Sequence, residues 1–417
     1  MTALRKTLRS VTERAPLWNG KDTIGSPAKY VDVSAVSRDD LAIQSVATLP
    51  VNHLPSRARK FVRAGDTLFA TVRPGLRRVA MVPAELDGAL ASTAFCVLRP
   101  DPDQVDPTYL YFAAASDSFV QRVADLQTGA SYPAVRDRDI LDQEIDLPDP
   151  AEQRTIGSVL SFVWNSVQRE GRLIVDAEAL KRAAMRQLFT RGLRGQPQRE
   201  TEIGLMAGSW TPAPLPAVCS MRTGGTPPKS DSSLWTGEVP WVSGKDLKSV
   251  RLSSVRDCIS SDAARKYSEV APAGSVLVLV RGMGLANGLA LSLLEKPMAF
   301  NQDLRALIPN GVTPGAYLMH ALTFAGPRLL RDVTRAAHGT MRLGQKDLAS
   351  FRIPLSPDVD EQREIVQILD AIDQKIDLHK RKKAVLEELF KALLHKLMTG
   401  EIRVSDLDLS ALESKDK

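Results

Sequence analysis

The sequence predicts an α+β protein in which two similar globular domains alternate with two long helices. Three observations predict this fold. The motif Glu-Gln-Arg occurs at residues 152–154 and again at 361–363, an offset of 209 (361 − 152) that holds along both surrounding segments. An apolar repeat of seven residues runs through both segments and indicates helices. The remaining sequence mixes strand and helix patterns without regular βαβ order, which favours α+β over a doubly wound sheet.

The two long helices are predicted from apolar residues at the a and d positions of a heptad, the pattern of helices that pack lengthwise against another helix. Neither segment contains an internal proline, so each is expected to run for some 40 residues, or roughly 60 Å. We assign the first helix to residues 151–191 and the second to residues 358–402. The predicted seam residues are Ile156, Leu160, Val163, Val167, Ile174, Leu188, Ile365, Leu369, Ile372, Ile376, Leu386, Phe390, Leu393 and Leu397.

Both helices have a marked start and an interruption near the middle. Each start has an aspartate followed three residues later by a glutamate, a pattern that can accept from free backbone N–H groups and favours the positive helix end: Asp149 with Glu152, and Asp358 with Glu361. Glu170 interrupts the first seam, and His379 occupies the equivalent position of the second. Either residue could be a solvated kink or a residue that sets the register of the pair.

Composition and charge describe an ordinary globular chain. Of its 417 residues, 43% are hydrophobic and 25% are charged, and the length allows two or three domains. The net charge of +6 permits an anionic partner without requiring one. Cys96, Cys219 and Cys258 are too few and too scattered for a disulfide framework or a zinc cage, which indicates a reducing compartment.

No targeting or membrane segment is predicted. Residues 1–10 are basic and lack an apolar segment, so no signal peptide is expected. Residues 274–294 are the one apolar run long enough to consider, but they contain Arg281 and several glycines, so a buried strand followed by a turn explains them better. We therefore expect a cytoplasmic protein without a membrane partner.

The duplication extends into the globular sequence. Residues 67–73 and 275–281 align as one strand at an offset of 208 (275 − 67), and Leu98 aligns with Leu307 at 209 (307 − 98). In the first domain we also expect strands at 30–34 and 94–98, and an amphipathic helix at 109–123. The resulting division is a first domain at 1–150, a glycine- and proline-rich linker at 192–212, a second domain at 205–357, and a tail at 403–417.

Several motifs carry a resemblance to a known family. The helices open with Leu-Pro-x-Pro-x-Glu-Gln-Arg at 147–154 and Pro-x-x-x-Glu-Gln-Arg-x-Ile at 357–365, and each ends near Leu-x-Thr. These motifs resemble the conserved regions of type I restriction–modification specificity subunits. Gly-Gly-Thr-Pro at 224–227 and Phe-Asn-Gln-Asp at 300–303 resemble one kind of target recognition domain, and residues 65–74 and 130–135 resemble another. The first half lacks Gly-Gly-Thr-Pro.

The resemblance implies a subunit that reads double-stranded DNA with two target recognition domains, held apart by an antiparallel pair of helices with pseudo-twofold symmetry. It also implies docking to methyltransferase (modification) subunits and to a restriction–translocation subunit. S-adenosylmethionine, ATP and Mg are then expected on those partners, and no cofactor on this chain. A rigid spacer between two different domains would select an asymmetric target of two short sequences separated by a fixed gap.

Candidate DNA contacts are basic and polar residues at turns, because phosphates are bound by cationic and polar donors and bases by side chains presented on loops. For each, a solvated surface charge or a structural ion pair is the alternative. Asn301 and Gln302 could read adenine or could cap a strand end. The candidates of the first domain are Arg57, Arg59, Arg73, Arg77, Arg78, Tyr132, Arg136 and Arg138, and those of the second are Thr226, Lys229, Lys245, Arg281, Asn287, Arg342 and Lys346.

No catalytic or metal site is predicted. The sequence contains no Asn-Pro-Pro-Tyr or Asp-Pro-Pro-Tyr run for amino-methyl transfer and no phosphate-binding Gly-x-x-x-x-Gly-Lys-Ser/Thr motif. The histidines show no ligand spacing with cysteine or acidic residues: His53, His320, His338, His379 and His395. Two other functions remain open, a nuclease using carboxylates such as Glu295 with Lys296, and a coiled-coil scaffold that binds only protein.

Overall fold

The computed structural model describes residues 4–21, 24–335 and 341–408. The chain divides into two compact units, one formed by Met1–Arg172 with Lys380–Lys417 and the other by Leu173–His379. We call them the first unit and the second unit. The division falls inside the long helices, so each unit contains one globular domain and half of each helix.

Short elements precede the first long helix. The strands are β1 (Leu4–Thr7), β2 (Thr12–Glu13), β3 (Ala28–Val31), β4 (Val36–Ser37), β5 (Ala42–Ile43), β6 (Ala47–Leu49), β7 (Ala58–Phe61), β8 (Thr67–Ala70), β9 (Val79–Met81), β10 (Leu90–Ser92), β11 (Phe95–Pro100) and β12 (Glu144–Leu147). The helices are α1 (Leu8–Val11), α2 (Pro107–Ala115), α3 (Asp117–Ala124), α4 (Asp137–Leu141) and α5 (Pro150–Arg191).

The same kinds of element follow in the second half. The strands are β13 (Gln198–Thr201), β14 (Gly204–Ala207), β15 (Thr211–Pro214), β16 (Cys219–Thr223), β17 (Val239–Val242), β18 (Arg251–Leu252), β19 (Cys258–Ile259), β20 (Val270–Ala271), β21 (Val276–Leu279), β22 (Leu291–Leu294), β23 (Met298–Phe300), β24 (Leu304–Pro309), β25 (Thr334–Arg335), β26 (Met341–Arg342) and β27 (Arg352–Leu355). The helices are α6 (Leu215–Val218), α7 (Ser261–Tyr267), α8 (Gly315–Leu329), α9 (Gln345–Ser350) and α10 (Val359–Met398).

The globular domains share one sheet topology. The first has sheets ordered β2-β11-β8-β9 and β6-β3-β10-β7, and the second has β16-β24-β21-β22, extended by β18, and β19-β17-β23-β20. In each domain the second of these sheets contains one parallel pair, β3 with β10 and β17 with β23. The predicted α+β fold with two similar domains is therefore confirmed.

The register of the duplicated strand differs from the prediction by one residue. Leu98 pairs with Thr67 in the first unit. Leu307 pairs with Val276 in the second, so Thr67 corresponds to Val276 rather than to Ser275, and the offset is 209 (276 − 67). The predicted offset of 208 was wrong because β21 is buried along its whole length and has no polar alternation to fix its register.

Two local predictions also need correction. The helix expected at 109–123 is divided into α2 and α3, because the Ser116 hydroxyl accepts from the Phe119 N–H at 3.3 Å and starts a new helix. The stretch predicted as a linker, 192–212, contains the β13–β14 hairpin. Trp210 beside that hairpin is fully buried, and its Nε1 donates to Glu361 at 3.0 Å.

The two long helices begin where the sequence indicates. α5 has 42 residues and α10 has 40. Asp149 accepts from the N–H groups of Ala151 and Glu152, both at 2.9 Å, and Asp358 accepts from the N–H of Asp360 at 2.9 Å. Across the described ranges, every helix is too short or too polar to be a membrane span.

Within each unit, the halves of the long helices pack side by side in opposite directions. In the first unit, the rings of Trp164 and Phe390 lie with their centroids 4.7 Å apart. Glu170, which follows Trp164 on α5, contacts Lys382, which precedes Phe390 on α10, so the two helices run in opposite directions. In the second unit, Lys181 binds Asp373. Every predicted seam residue is buried or half-buried.

Glu170 does not face solvent. Its side chain is 4% exposed, and it accepts from the Lys382 ammonium at 2.6 Å. A buried carboxylate needs such a partner, because an unpaired one would carry a large desolvation cost. Of the two interpretations of this interruption, the structure favours a residue that fixes the register of the helix pair.

A buried glutamine joins each helix start to its globular domain. Gln153 accepts from the Asp106 N–H and donates to the Pro148 carbonyl, both at 2.8 Å. Gln362 accepts from the Thr313 hydroxyl at 2.5 Å and donates to the Ser356 carbonyl at 2.8 Å. Both glutamines are 1% exposed. The glutamine of the Glu-Gln-Arg motif thus has the same structural role in both copies.

We predict that Gln362→Ala lowers the stability of the chain by about 1–3 kcal/mol, because it leaves buried polar groups of the second unit without partners. Thermal unfolding measures the change. Gln367→Ala is the matched control, since Gln367 lies on the same helix and is exposed. Equal unfolding temperatures for the two variants would contradict the prediction.

Candidate nucleic-acid interface

In each unit, a backbone hydrogen bond and a β-bridge join two loops, one of which directly follows a sheet strand (β8 in the first unit and β21 in the second). In the first unit the Arg73 N–H donates to the Pro133 carbonyl at 2.7 Å, and Val72 and Ala134 form a β-bridge. In the second unit the Gly282 N–H donates to the Met341 carbonyl at 3.0 Å, and Arg281 and Arg342 form the corresponding bridge. We call these the first loop site (residues 71–78 and 128–136) and the second loop site (residues 280–288 and 341–346).

The first loop site presents an arginine and a tyrosine together. The Arg73 guanidinium lies 5.6 Å from the centroid of the Tyr132 ring, and Tyr132 is 76% exposed. Arg73 and Arg77 have left-handed backbones with φ of 50° and 53°. Such conformations are unfavourable for non-glycine residues and are held by surrounding structure, often at functional sites. An exposed aromatic ring with an adjacent cation can stack on a base and bind a phosphate.

Other predicted residues of the first domain are engaged in the protein. Arg59 donates to the Ser56 carbonyl at 2.8 Å, and Arg78 donates to the Val33 and Val36 carbonyls at 3.1 and 2.6 Å. These two guanidinium groups hold loops in place.

Of the other predicted arginines in the first domain, Arg57, Arg136 and Arg138 are exposed and Arg77 is half-buried. Arg57 pairs with Asp32 at 2.8 Å. The pKa of Arg57 is raised mainly by the negative charge of Asp32 and also by a hydrogen bond with Tyr30. Arg77 pairs with Asp117 at 2.8 Å, and Arg138 lies 3.5 Å from Asp139. Arg136 is exposed at the start of α4.

The second loop site contains a cluster of arginines. Arg281 and Arg342, both predicted from the sequence, line a cavity of about 200 Å³ together with Arg305 on β24. None of the residues lining this cavity is acidic. The pKa of Arg305 is lowered by its partial burial and then by the positive charges of Arg342 and Arg281. Arg305 was missed by sequence reasoning because it lies in an apolar strand rather than at a turn.

The polar residues beside this cavity have different environments. Asn301 is buried, and its side chain accepts from the Asp303 N–H at 3.2 Å, so it caps a strand end. Gln302 is exposed, lines the cavity and accepts from the Thr226 hydroxyl at 2.6 Å. Asn301 therefore caps a strand end rather than reading a base, whereas Gln302 remains available to a ligand.

The structure does not gather the other predicted residues of the second domain around the cavity. Lys245 pairs with Asp257 at 2.8 Å, and this hydrogen bond and the charge of Asp257 raise the pKa of Lys245. Lys229, Asn287 and Lys346 are exposed, and none of them lines the cavity.

A second charged cluster joins the globular domain of the second unit to the long helices. His320 is fully buried and lies 3.0 Å from Asp370, which also binds Arg251, while Lys181 binds Asp373. His320, Asp370 and Asp373 could each offer one metal ligand within 4.8 Å of the others, although no histidine had ligand spacing in the sequence. Since both carboxylates already have cationic partners, we interpret the cluster as an ion-pair network. His338 lies outside the described residues.

The fold and its loops define a class: a duplicated protein whose two domains, each joined to halves of long paired helices, present cationic loop sites. Residues 208–388 match the family model described as type I restriction modification DNA specificity domain. The specificity subunit of the Haemophilus influenzae type I restriction enzyme HindI is 22% identical over 422 residues, covering 84% of this chain and 90% of that protein. The chain is thus similar to type I restriction–modification specificity subunits along most of its length.

Two further proteins show the same kind of similarity. The specificity subunit of the Escherichia coli type I restriction enzyme EcoR124I/EcoR124II is 34% identical over 152 residues, which cover 36% of this chain and 37% of that protein. A solved structure from work on complex assembly and conformational transition of the type I R-M system is 28% identical, with a TM-score of 0.56, and the match covers 96% of this chain and 98% of that chain.

The ion-pair network predicts an acid-sensitive contribution to stability. Burial alone would raise the pKa of Asp370, but hydrogen bonds from His320 and Arg251 and their charges outweigh burial and lower it. A carboxyl whose folded pKa is depressed stabilises the fold above its unfolded value and loses that contribution as pH falls through the folded value.

Asp370→Asn should therefore destabilise the protein at about pH 6 and much less at about pH 3, as measured by thermal unfolding across that range. Asp377→Asn is the control, because Asp377 is exposed on the same helix. A stability difference between wild type and Asp370→Asn that stays constant with pH would show that the network does not act in this way.

Proposed function

We propose that this chain is the DNA-reading subunit of a type I restriction–modification complex and that it recognises an asymmetric target in two parts. The observation that carries the proposal is the occurrence of one loop site at the same place in both units, formed by the same backbone hydrogen bond. A duplicated reading site suits a duplex, which offers its grooves again one helical turn further on.

The two loop sites differ in chemistry, which favours two different half-sites. The first presents Arg73 with Tyr132, whereas the second presents arginines around a cavity. Side chains on loops that differ in this way contact different base edges and phosphates. The long helices, each continuous for about 60 Å at 1.5 Å per residue, would set the gap between the half-sites.

The chemistry of the complex is proposed to reside on partner subunits. Methyltransferase subunits would bind S-adenosylmethionine, and a restriction–translocation subunit would use ATP and Mg. The exposed faces of α5 and α10 are the surfaces we propose for docking the methyltransferase subunits. On this proposal, the chain selects the DNA site at which its partners act.

Mapping methylated positions tests the proposal. The chain and its methyltransferase subunits are expressed in a host without other DNA methylation, and modified bases are located by sequencing. The proposal predicts one motif made of two different short sequences at constant spacing, which disappears when this chain is omitted. Methylation at a single continuous motif, or methylation that persists without the chain, would contradict it.

We further predict that combining Arg73→Gln with Tyr132→Ala reduces methylation at cognate sites about tenfold or more, because an aromatic stack and a charged contact are removed together. The measurement is the initial rate of methylation on a duplex carrying the mapped motif. Arg38→Gln is the control, since Arg38 is an exposed arginine of the same domain paired with Asp39. If the double variant matches this control, the first loop site does not contact DNA.

A further inference from the structure

We propose that Arg281, Arg305 and Arg342 form a phosphate-binding site that exists only in the second of the two domains and holds one phosphate of the DNA backbone. This inference rests on the proposed DNA-reading function. It adds a residue, Arg305, that no turn motif indicates, and it assigns the cluster to positioning the duplex rather than to reading a base.

Three positively charged side chains converge at the second loop site. The three arginines line one cavity of about 200 Å³ whose lining has no acidic residue, and the described residues show no ion pair to any of them. Elsewhere in the same unit, Arg251 and Arg352 pair with Asp370 and Glu202. Like charges repel, so an anion bound among the three arginines would stabilise the cluster.

The three arginines differ in position and exposure. Arg281 and Arg342 are exposed and lie on the two bridged segments of the loop site, at the rim of the cavity. Arg305 is half-buried and projects from the regular strand β24, where its backbone pairs with Val278. A half-buried arginine held on a regular strand is less free to reach a base edge than the two exposed arginines are, whereas a phosphate oxygen that enters the cavity can meet it.

The chemistry of guanidinium groups favours a phosphate as the ligand. Guanidinium groups present planar forks of donors that match phosphate oxygens, and several groups around one phosphate give short, charge-assisted bonds. A guanine edge offers acceptors to one arginine but carries no net charge to neutralise three. Gln302 and Thr223, which also line the cavity, add polar atoms of the kind that commonly contact the backbone.

The first domain lacks arginines at the three corresponding positions. The β-bridge of Arg281 with Arg342 corresponds to that of Val72 with Ala134. Arg305 pairs with Val278 in the second domain, and Cys96 pairs with Phe69 at the same place in the first. Cys96 therefore occupies the position that corresponds to Arg305. All three arginines are thus replaced in the first domain by Val72, Cys96 and Ala134, which carry no charge. The shared framework does not require these arginines, so their convergence in one domain belongs to ligand binding.

The test measures DNA binding by the full chain with its methyltransferase subunits as a function of salt. Each phosphate contact contributes about 0.9 to the slope of log affinity against log salt. The double variant R281Q/R342Q alters only exposed rim residues and should fold normally. Both it and R305Q should lower the slope by about one and the affinity roughly tenfold, while R305K retains most of the slope. R265Q removes one exposed charge of the same unit and should change neither.

Two readouts distinguish a phosphate contact from other roles. The methylated motif should be unchanged in R305Q, because a phosphate contact is lost equally on all sequences. Replacing single phosphates near the second half-site by neutral methylphosphonate should weaken wild type at one position and R305Q much less, since the two changes remove the same contact.

The outcomes separate this inference from the proposed function. If wild type shows no two-part motif, the proposed function fails before any variant is made. If wild type reads its motif but R305Q and R281Q/R342Q behave as R265Q does, the phosphate site is overturned. This holds even if inorganic phosphate raises the unfolding temperature, because the cluster then binds only a free anion. An altered motif in R305Q would overturn it in favour of base reading.

Discussion

The buried glutamine at the start of each long helix is the constraint on which the rest of the structure depends. Gln153 and Gln362 lie among apolar side chains, and the amide of each is satisfied by groups of the preceding loop and the globular domain. A buried amide that lost these partners would carry an unpaired polar group, so the helix cannot rotate or slide at this point without a cost in stability. The direction in which each helix leaves its domain is therefore fixed.

The helix pair carries that constraint along the unit. Apolar seam residues supply the burial, while Glu170 with Lys382 and Lys181 with Asp373 supply polar contacts that a shifted register would break. These contacts differ from the surface ion pairs of the helices because Glu170, Lys181 and Asp373 are largely buried. Hydrophobic burial thus stabilises the pair, and the buried polar groups select one alignment of it.

The sequence predicted the features that depend on strong periodicity or on local motifs. The duplication, both helix starts and the antiparallel pairing of long helices follow from patterns that repeat over many residues. The strand register did not follow, since β21 is apolar on both faces and an alignment one residue away looks equally good. The β13–β14 hairpin was interpreted as a linker because glycine and proline mark turns inside folded segments as well as between them.

The candidate site shows a similar division. Arg73, Tyr132, Arg281 and Arg342 were predicted because they lie at recognisable turns. Arg305 could not be found in this way, because its neighbours come from segments distant in sequence and its own segment is an apolar strand. His320 with Asp370 is a comparable case, in which the tertiary fold joins groups whose spacing carries no signal. Charge clusters of this kind require the fold before they can be recognised.

The two domains share topology and the hydrogen bond that joins their loops, but they differ in the side chains that those loops present. A common framework with different loops is what two different half-sites on one duplex require. The most direct test is a hydroxyl-radical footprint of the chain with its methyltransferase subunits on DNA that contains its target. We expect two separate protected patches with accessible DNA between them, and one continuous protected stretch would contradict the account.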